Sequence, residues 1–292
     1  MSNRFFHTVA TIILFFPLVA QAGVIRHDVS DTFYTDLANE AKYDSVGRLA
    51  VTGLGSCSGS LIASNWVLTA AHCVDSPSIS GALFEIGGSS YTASQWFAHE
   101  NWTGDLFAGN DIGLVQLASA VSGVSFANLY TGSDEFFQVG TYVGYGVTGN
   151  GQTGYTDPAG TKRAGQNLID ITVTGSNPQI LVSDFDNPLD PNDSFGATDP
   201  NPLALEYVIA PGDSGGGLFI DIGGTTYLAG INSFLAWTDG TDDADYGDLS
   251  GATRVSGFID WIQANTVPVP ASLLLILAGL LLLAGRRRLA SA

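Results

Sequence analysis

A serine stands among glycines in Ala210-Pro211-Gly212-Asp213-Ser214-Gly215-Gly216-Gly217, between apolar runs at 203–209 and 218–222. Bare backbone around the hydroxyl lets Oγ protrude and lets N–H groups approach a substrate oxygen closely. The same octapeptide also reads as a glycine-rich turn, so chemistry requires partners elsewhere. A serine hydroxyl is a poor nucleophile near neutral pH; it needs a base, and the base needs orienting. Histidine, with an unperturbed pKa of about 6.5, is suited to that work. Outside the first 22 residues the chain has His27, His72 and His99. His72 follows the apolar run Trp66–Thr69 and two alanines, and precedes Cys73, a rigid frame for an imidazole. His99, in Ala98-His99-Glu100-Asn101-Trp102, has no such frame and reads as a solvated surface histidine. Asp111 leads straight into the apolar run 112–117, whereas most acids of the chain lie in loops. Taken singly, His72 also reads as a core histidine satisfied by backbone, and Asp111 as a turn residue capping a strand.

These residues must be positioned by strands. From Val46 onward short apolar runs alternate with Gly, Ser, Asn and Asp: Val46–Thr52, 58–63, Trp66–Thr69, 83–86, 90–97 and 112–117, then 138–145, 166–173, 180–183, 203–209, 218–222, 227–233 and 251–255. Many short strands with regular turn signals predict an all-β fold. They are too many for one small barrel, so two antiparallel six-stranded β-barrels are expected, over 46–134 and 135–256, with the active site between them. Residues 257–265 have helical spacing and read as a closing helix. Residues 23–45 read as an N-terminal arm with a short helix at Tyr34, Leu37, Ala38 and Ala41, capped by Asp31 or Thr32. The acidic loops 184–199 and 239–248 read as solvated surface. Clustered carboxylates also suit Ca²⁺, but neither loop matches a known Ca²⁺ motif, and no metal or cofactor is expected.

Both ends differ from the body. Residues 1–22 carry Arg4, an apolar run and Ala20-Gln21-Ala22, the pattern of a cleaved secretory signal. Residues 266–292 form a Pro-containing linker, an uncharged stretch 272–285 and Arg286-Arg287-Arg288, expected to be one C-terminal transmembrane segment with the arginines cytoplasmic. The chain's net charge is −18, and all 28 acids lie in the body against Arg26, Lys42, Arg48, Lys162, Arg163 and Arg254. That excludes nucleic acid as a partner, since phosphate binding needs a basic face, and it favours solubility, salt tolerance and neutral or basic partners. The only cysteines are Cys57 and Cys73; in an exported protein they read as one disulfide.

Thr69-Ala70-Ala71-His72-Cys73, Asp111-Ile112-Gly113-Leu114 and Gly212-Asp213-Ser214-Gly215-Gly216 resemble the three signature blocks of the trypsin/chymotrypsin-like serine peptidases, in that family's order. Cys57-Ser58-Gly59-Ser60-Leu61-Ile62 and Gly144-Tyr145-Gly146 resemble two further family blocks. The resemblance covers roughly 46–265. It implies Ser214 as nucleophile, His72 as general base and then acid, Asp111 as the group fixing its tautomer, and the N–H groups of Gly212 and Ser214 as oxyanion hole. It implies that Val208 floors the specificity pocket, that Ser233-Phe234-Leu235 pairs with the substrate backbone, and that Leu235 narrows the pocket for small or medium apolar P1 residues. In the family Asp213 pairs with a freed N-terminal amine. No I-V-G-G-like start is present here, and the candidates to neutralise Asp213 are the amine near Gly23–Val24, Arg26 or His27.

The tail resembles the PEP-CTERM sorting signal of Gram-negative bacteria, although Val267-Pro268-Val269-Pro270 lacks the glutamate. That resemblance implies processing by an exosortase-type enzyme after signal peptidase has acted, and delivery to the cell envelope, the cell surface or the medium; a permanent anchor is the alternative. The expected function is an exported serine endopeptidase acting on protein or peptide substrates. The alternative is a catalytically silent binding protein on the same scaffold, which a missing triad member would favour; none is missing.

Overall fold

The computed structural model describes residues 23–172, 179–190 and 201–267; the expected signal segment and the tail from Pro268 onward lie outside them. The chain enters through β1 (Gly23–Ile25) and α1 (Asp31–Ala38). Ser30 occupies the cap position of α1 and makes no side-chain cap bond. Asp31, expected as a cap, is the first helical residue and turns its carboxylate to Arg163 instead, at 2.5 and 2.7 Å.

Six strands follow, β2 (Val46–Thr52), β3 (Gly55–Ala63), β4 (Trp66–Thr69), β5 (Gly81–Ile86), β6 (Ser89–Ala98) and β7 (Gly113–Leu117). They close into an antiparallel barrel in the order β2-β3-β4-β7-β6-β5. The period-two pattern drives this: in β5, Ala82, Phe84 and Ile86 are buried while Leu83 is exposed. Leu49, Leu61, Val67, Phe84 and Val115 are fully buried in the core cluster, paired across the strands as Leu49–Phe84, Leu61–Val67 and Val67–Val115. Closure leaves no unpaired edge for the polar backbone.

The second half contains β8 (Val139–Gly144), β9 (Thr148–Asn150), β10 (Gly154–Asp157), β11 (Arg163–Leu168), β12 (Ile171–Thr172), β13 (Ile180–Asp184), β14 (Tyr207–Val208), β15 (Gly217–Ile222), β16 (Thr225–Ala236) and β17 (Leu249–Arg254). The expected second six-stranded closed barrel is not what forms. Seven strands make an open sheet, β11-β8-β15-β16-β17-β13-β12, and a separate four-stranded sheet runs β10-β9-β1-β14. The two edge strands β11 and β12 are consecutive in the chain. Between them the Ile169 N–H bonds the Gln138 carbonyl beside β8, and the Asp170 N–H bonds the Val182 carbonyl in β13, at 3.0 Å each. Ile169 and Asp170 are both buried, so the alternation breaks there and the strand bends. A bend in the chain, not a ladder, joins the sheet's edges and gives a half-barrel.

The C-terminal helix is present with a modified start: a 3₁₀ turn over Val255–Phe258 leads into α2 (Ile259–Thr266). Phe258 and Ile262 join the core cluster that fills the first barrel, so the end of the chain crosses back and ties the halves together. His99, expected at the surface, is buried under this helix with its ring edge-on to Phe258 and Trp261. Two aromatic rings supply the frame that its own neighbours in sequence do not. Among the described residues no helix is long and apolar enough to cross a membrane.

The halves also meet at Ser58 in β3. Its N–H donates to the Ser214 carbonyl at 2.8 Å, and its Oγ donates to the Gly212 carbonyl and accepts from the Tyr145 N–H, both at 2.9 Å. Gly215 follows at φ +82, and a Cβ there would collide with Thr69 Oγ1 and the Ser58 carbonyl. Gly215→Ala is therefore expected to destabilise the protein by at least about 1–2 kcal/mol from the left-handed backbone alone and to displace the 212–216 loop. Chemical denaturation with a parallel peptidase assay checks this; unchanged stability and rate would sink the docking argument.

Candidate active site

Register places His72 and Asp111 together. β4 and β7 pair with Thr69 opposite Gly113, so the 3₁₀ turn Ala71–Cys73 that follows β4 lies beside the residues that precede β7. Asp111 is fully buried and the His72 side chain is 30 % exposed, so the imidazole faces solvent while its partner does not. Asp111 Oδ1 accepts the His72 backbone N–H at 2.9 Å, and Oδ2 lies 2.8 Å from His72 Nδ1. Ser233 Oγ donates to the same Oδ2 at 2.6 Å, and Thr253 Oγ1 donates to the Asp111 carbonyl at 2.9 Å. An ionised carboxylate only accepts hydrogen bonds, so Nδ1 carries the proton and Nε2 is left with a lone pair.

The Cys57–Cys73 disulfide is formed, across a separation of 16 residues. It ties the turn holding His72 to β3, and Cys73 Sγ lies 3.7 Å from the Ser214 carbonyl oxygen. The three expected chemical residues therefore come from distant parts of the chain to one seam. Among the described residues no hydrogen bond joins the Ser214 hydroxyl to His72; such bonds are commonly long in a free enzyme and tighten when substrate docks. In the loop, the N–H groups of Asp213 and Gly215 are consumed by the carbonyls of Ala210 and Asn232, at 2.9 and 2.7 Å. Those of Gly212 and Ser214 donate to no described residue, which leaves two alternate donors free for an oxyanion.

Ser214 lines a cavity of about 330 Å³ with Ile209, Ala210, Pro211, Ser233, Phe234 and Leu235. Leu106, Trp237 and Asp242 also line it; no pattern in the sequence marks them, because they come from connecting segments without periodicity. Val208 does not line it. It is fully buried in a cluster with Val24, Phe185, Ala210 and Ala244, paired with Val24 across β1. Beyond the Gly217–Ile231 pair, β15 no longer accompanies β16, while β17 continues to Ala236. Residues 233–236 therefore keep one edge open to the cavity, as a substrate strand requires.

Asp213 is fully buried, and neither Arg26 nor His27 neutralises it. Arg26 pairs with Asp28 at 2.8 Å and bonds the Leu203 carbonyl, and His27 Nδ1 lies 2.7 Å from the Tyr246 hydroxyl. Instead Asp213 accepts from the N–H groups of Gly146 and Ala210 at 2.8 and 2.9 Å and from the Tyr207 hydroxyl at 3.2 Å. Tyr207, which carries the pairing of β14 with β1, lies against Gly23, where no Cβ fits. Burial pushes the Asp213 carboxyl up to about 6, opposed by those three bonds and by the positive charge of Arg163. Between about 4, the ordinary carboxylate value, and about 6 the native state holds a proton that the unfolded chain has released. The stability from this group is full below that window and is lost as pH rises through it. Thermal melts at fixed ionic strength should show Tm falling across the window, with this component removed in Asp213→Asn; an identical profile in the variant contradicts the assignment.

The sequence model of the trypsin family matches residues 37–262. Among curated proteins the chain is similar to Trypsin-1 of Astacus astacus, 31% identical over 72% of this chain and 88% of the relative. It is also similar to Trypsin Blo t 3 of Blomia tropicalis, 27% identical over 88% of this chain and 99% of the relative, and to Chymotrypsin-like elastase family member 1 of Macaca fascicularis, 28% identical over 71% and 77%. The matched span holds the barrel, the half-barrel and the seam between them, and this chain belongs to the trypsin family of serine endopeptidases.

Proposed function

We propose that the chain hydrolyses peptide bonds by acyl transfer through Ser214. The observation that carries this reading is the pairing of His72 Nδ1 with the buried carboxylate of Asp111 beside the cavity that Ser214 lines. In the first step Ser214 Oγ attacks the scissile carbonyl carbon and its proton passes to His72 Nε2. The oxyanion is stabilised by the free N–H groups of Gly212 and Ser214. His72 then gives its proton to the leaving amine, the C–N bond breaks, and water repeats the sequence to release the acid and restore Ser214.

A cavity of about 330 Å³ is near the small end of ligand sites, and Leu235 and Phe234 line it, which supports small or medium apolar P1 residues. The first 22 residues, together with the disulfide, support export. The tail's apolar stretch and arginine cluster support membrane engagement before any processing.

Two measurements test the reading. Ser214→Ala should abolish fluorophosphonate labelling and lower kcat by about 10⁶; labelling that persists defeats it. In a peptide library, cleavage should follow Ala or Val, and Leu235→Gly should raise kcat/KM for Phe relative to Ala by about tenfold or more. Efficient cleavage after Arg but not Ala would overturn the pocket assignment.

A further inference from the structure

The loop after β16 carries acids at 239, 242, 243, 245 and 248. Three of them converge: one carboxylate oxygen each from Asp239, Asp245 and Asp248 lies within 4.8 Å of the others. Convergence of acids is common on an acidic surface and by itself indicates nothing. Asp248 distinguishes this group. Its side chain is fully buried; Oδ1 accepts the Thr238 N–H at 3.1 Å, and Oδ2, the oxygen left over, has no hydrogen-bond partner. Asp245 Oδ1 is likewise buried and unpartnered. Buried carboxylate oxygens without partners are costly unless a counter-charge is supplied.

The described residues do not supply that charge. Arg26, Lys42, Arg48, Arg163 and Arg254 pair with Asp28, Asp221, Glu85, Asp31 and Glu135, and Lys162 Nζ donates to the Tyr43 carbonyl at 2.7 Å. We propose that Asp239, Asp245 and Asp248 form a Ca²⁺ site whose occupation fixes the loop that walls the substrate cavity. All-oxygen ligation selects a hard cation over zinc. Oxygens on one ion stand no farther apart than twice the metal–oxygen distance, about 4.6–5.2 Å for Ca²⁺ and about 4.0–4.2 Å for Mg²⁺. Three oxygens no more than 4.8 Å apart fall within the Ca²⁺ limit. The loop reaches the cavity through Trp237 and Asp242; this second part rests on the cavity being the substrate pocket proposed above, and the first part does not.

Binding is therefore measured on the full chain carrying Ser214→Ala, where catalysis is irrelevant. After chelator treatment, CaCl₂ at a hundredfold excess over Kd should raise Tm by roughly 5–10 °C, with a change in tryptophan fluorescence from Trp237. Asp239→Asn, at an exposed position, should weaken Ca²⁺ binding about tenfold or more. Asp248→Asn should abolish the shift and also raise Tm in chelator, because the buried charge is gone; a merely structural acid predicts the opposite sign. No shift at about 10 mM Ca²⁺, weaker than the weakest extracellular sites, or equal shifts in all three proteins, overturns the site. In the chain with Ser214 intact, Ca²⁺ should lower KM for a short peptide with kcat little changed, and not in Asp248→Asn. An unchanged KM overturns the link to the cavity and leaves the peptidase assignment untouched.

Discussion

Asp111 is an acceptor buried where both halves of the molecule meet. Taking a carboxylate out of water costs several kcal/mol unless donors surround it. Here the donors come from both sides: the His72 N–H and Nδ1 from the first barrel, Ser233 Oγ from the second sheet, with Thr253 Oγ1 on its carbonyl. Neither half could bury Asp111 alone. The carboxylate thus fixes the histidine's tautomer and, by the same bonds, the relation of one half to the other. Separating the halves would remove Ser233 Oγ and Thr253 Oγ1 from Asp111, so the geometry of the seam and the assembly of the halves rest on the same bonds.

The 212–216 loop is held by a second buried acid with a different solution. Asp213 is satisfied by two backbone N–H groups and a tyrosine hydroxyl, and the tyrosine is held by the N-terminal arm: β1 pairs with β14 on one side and β9 on the other. α1 braces the same region through the Asp31–Arg163 pair. The arm is thus a structural wedge beneath the loop that bears Ser214. Residues 23–45, expected as an N-terminal arm, lie beneath the loop that bears Ser214 through these contacts.

Much of this was legible in sequence because it rests on period-two burial. Val46–Thr52 and Trp66–Thr69 are strands at their expected bounds, and the Cys57–Cys73 bridge forms as the cysteine count implies. What escaped has local causes. β9 reads Thr-Gly-Asn and β10 Gly-Tyr-Thr-Asp; they are too short and too rich in turn residues to show alternation, and pairing makes them strands, β9 with the distant β1 and β10 with β9. The run 203–209 is apolar enough for a strand, yet the strand it forms is Tyr207–Val208 alone, with Glu206 making a single bridge to Gln166. Glu206 accepts the Leu203 N–H at 2.6 Å and returns its own N–H to the Leu203 carbonyl, a local turn that competes with the ladder. The same displacement carries Val208 into the core between Val24 and Ala210 and away from the cavity. Ser58 adjoins a bridged cysteine, which is a signal of position but not of the three bonds it makes across the seam.

The scarcity of cations ties these features together. The body has few Lys and Arg; the arginines and Lys42 are bound to acids other than Asp111, such as Arg48 with Glu85 and Arg254 with Glu135, and Lys162 is bound to the Tyr43 carbonyl. A guanidinium beside Asp111 would take the oxygens that orient His72, because charge-assisted pairs outcompete neutral donors. Meeting Asp111 with backbone N–H and hydroxyl donors leaves an oxygen for the His72 imidazole. An acidic composition read at first as a statement about solubility is therefore also the condition under which a buried aspartate can hold a histidine with no arginine or lysine competing for it.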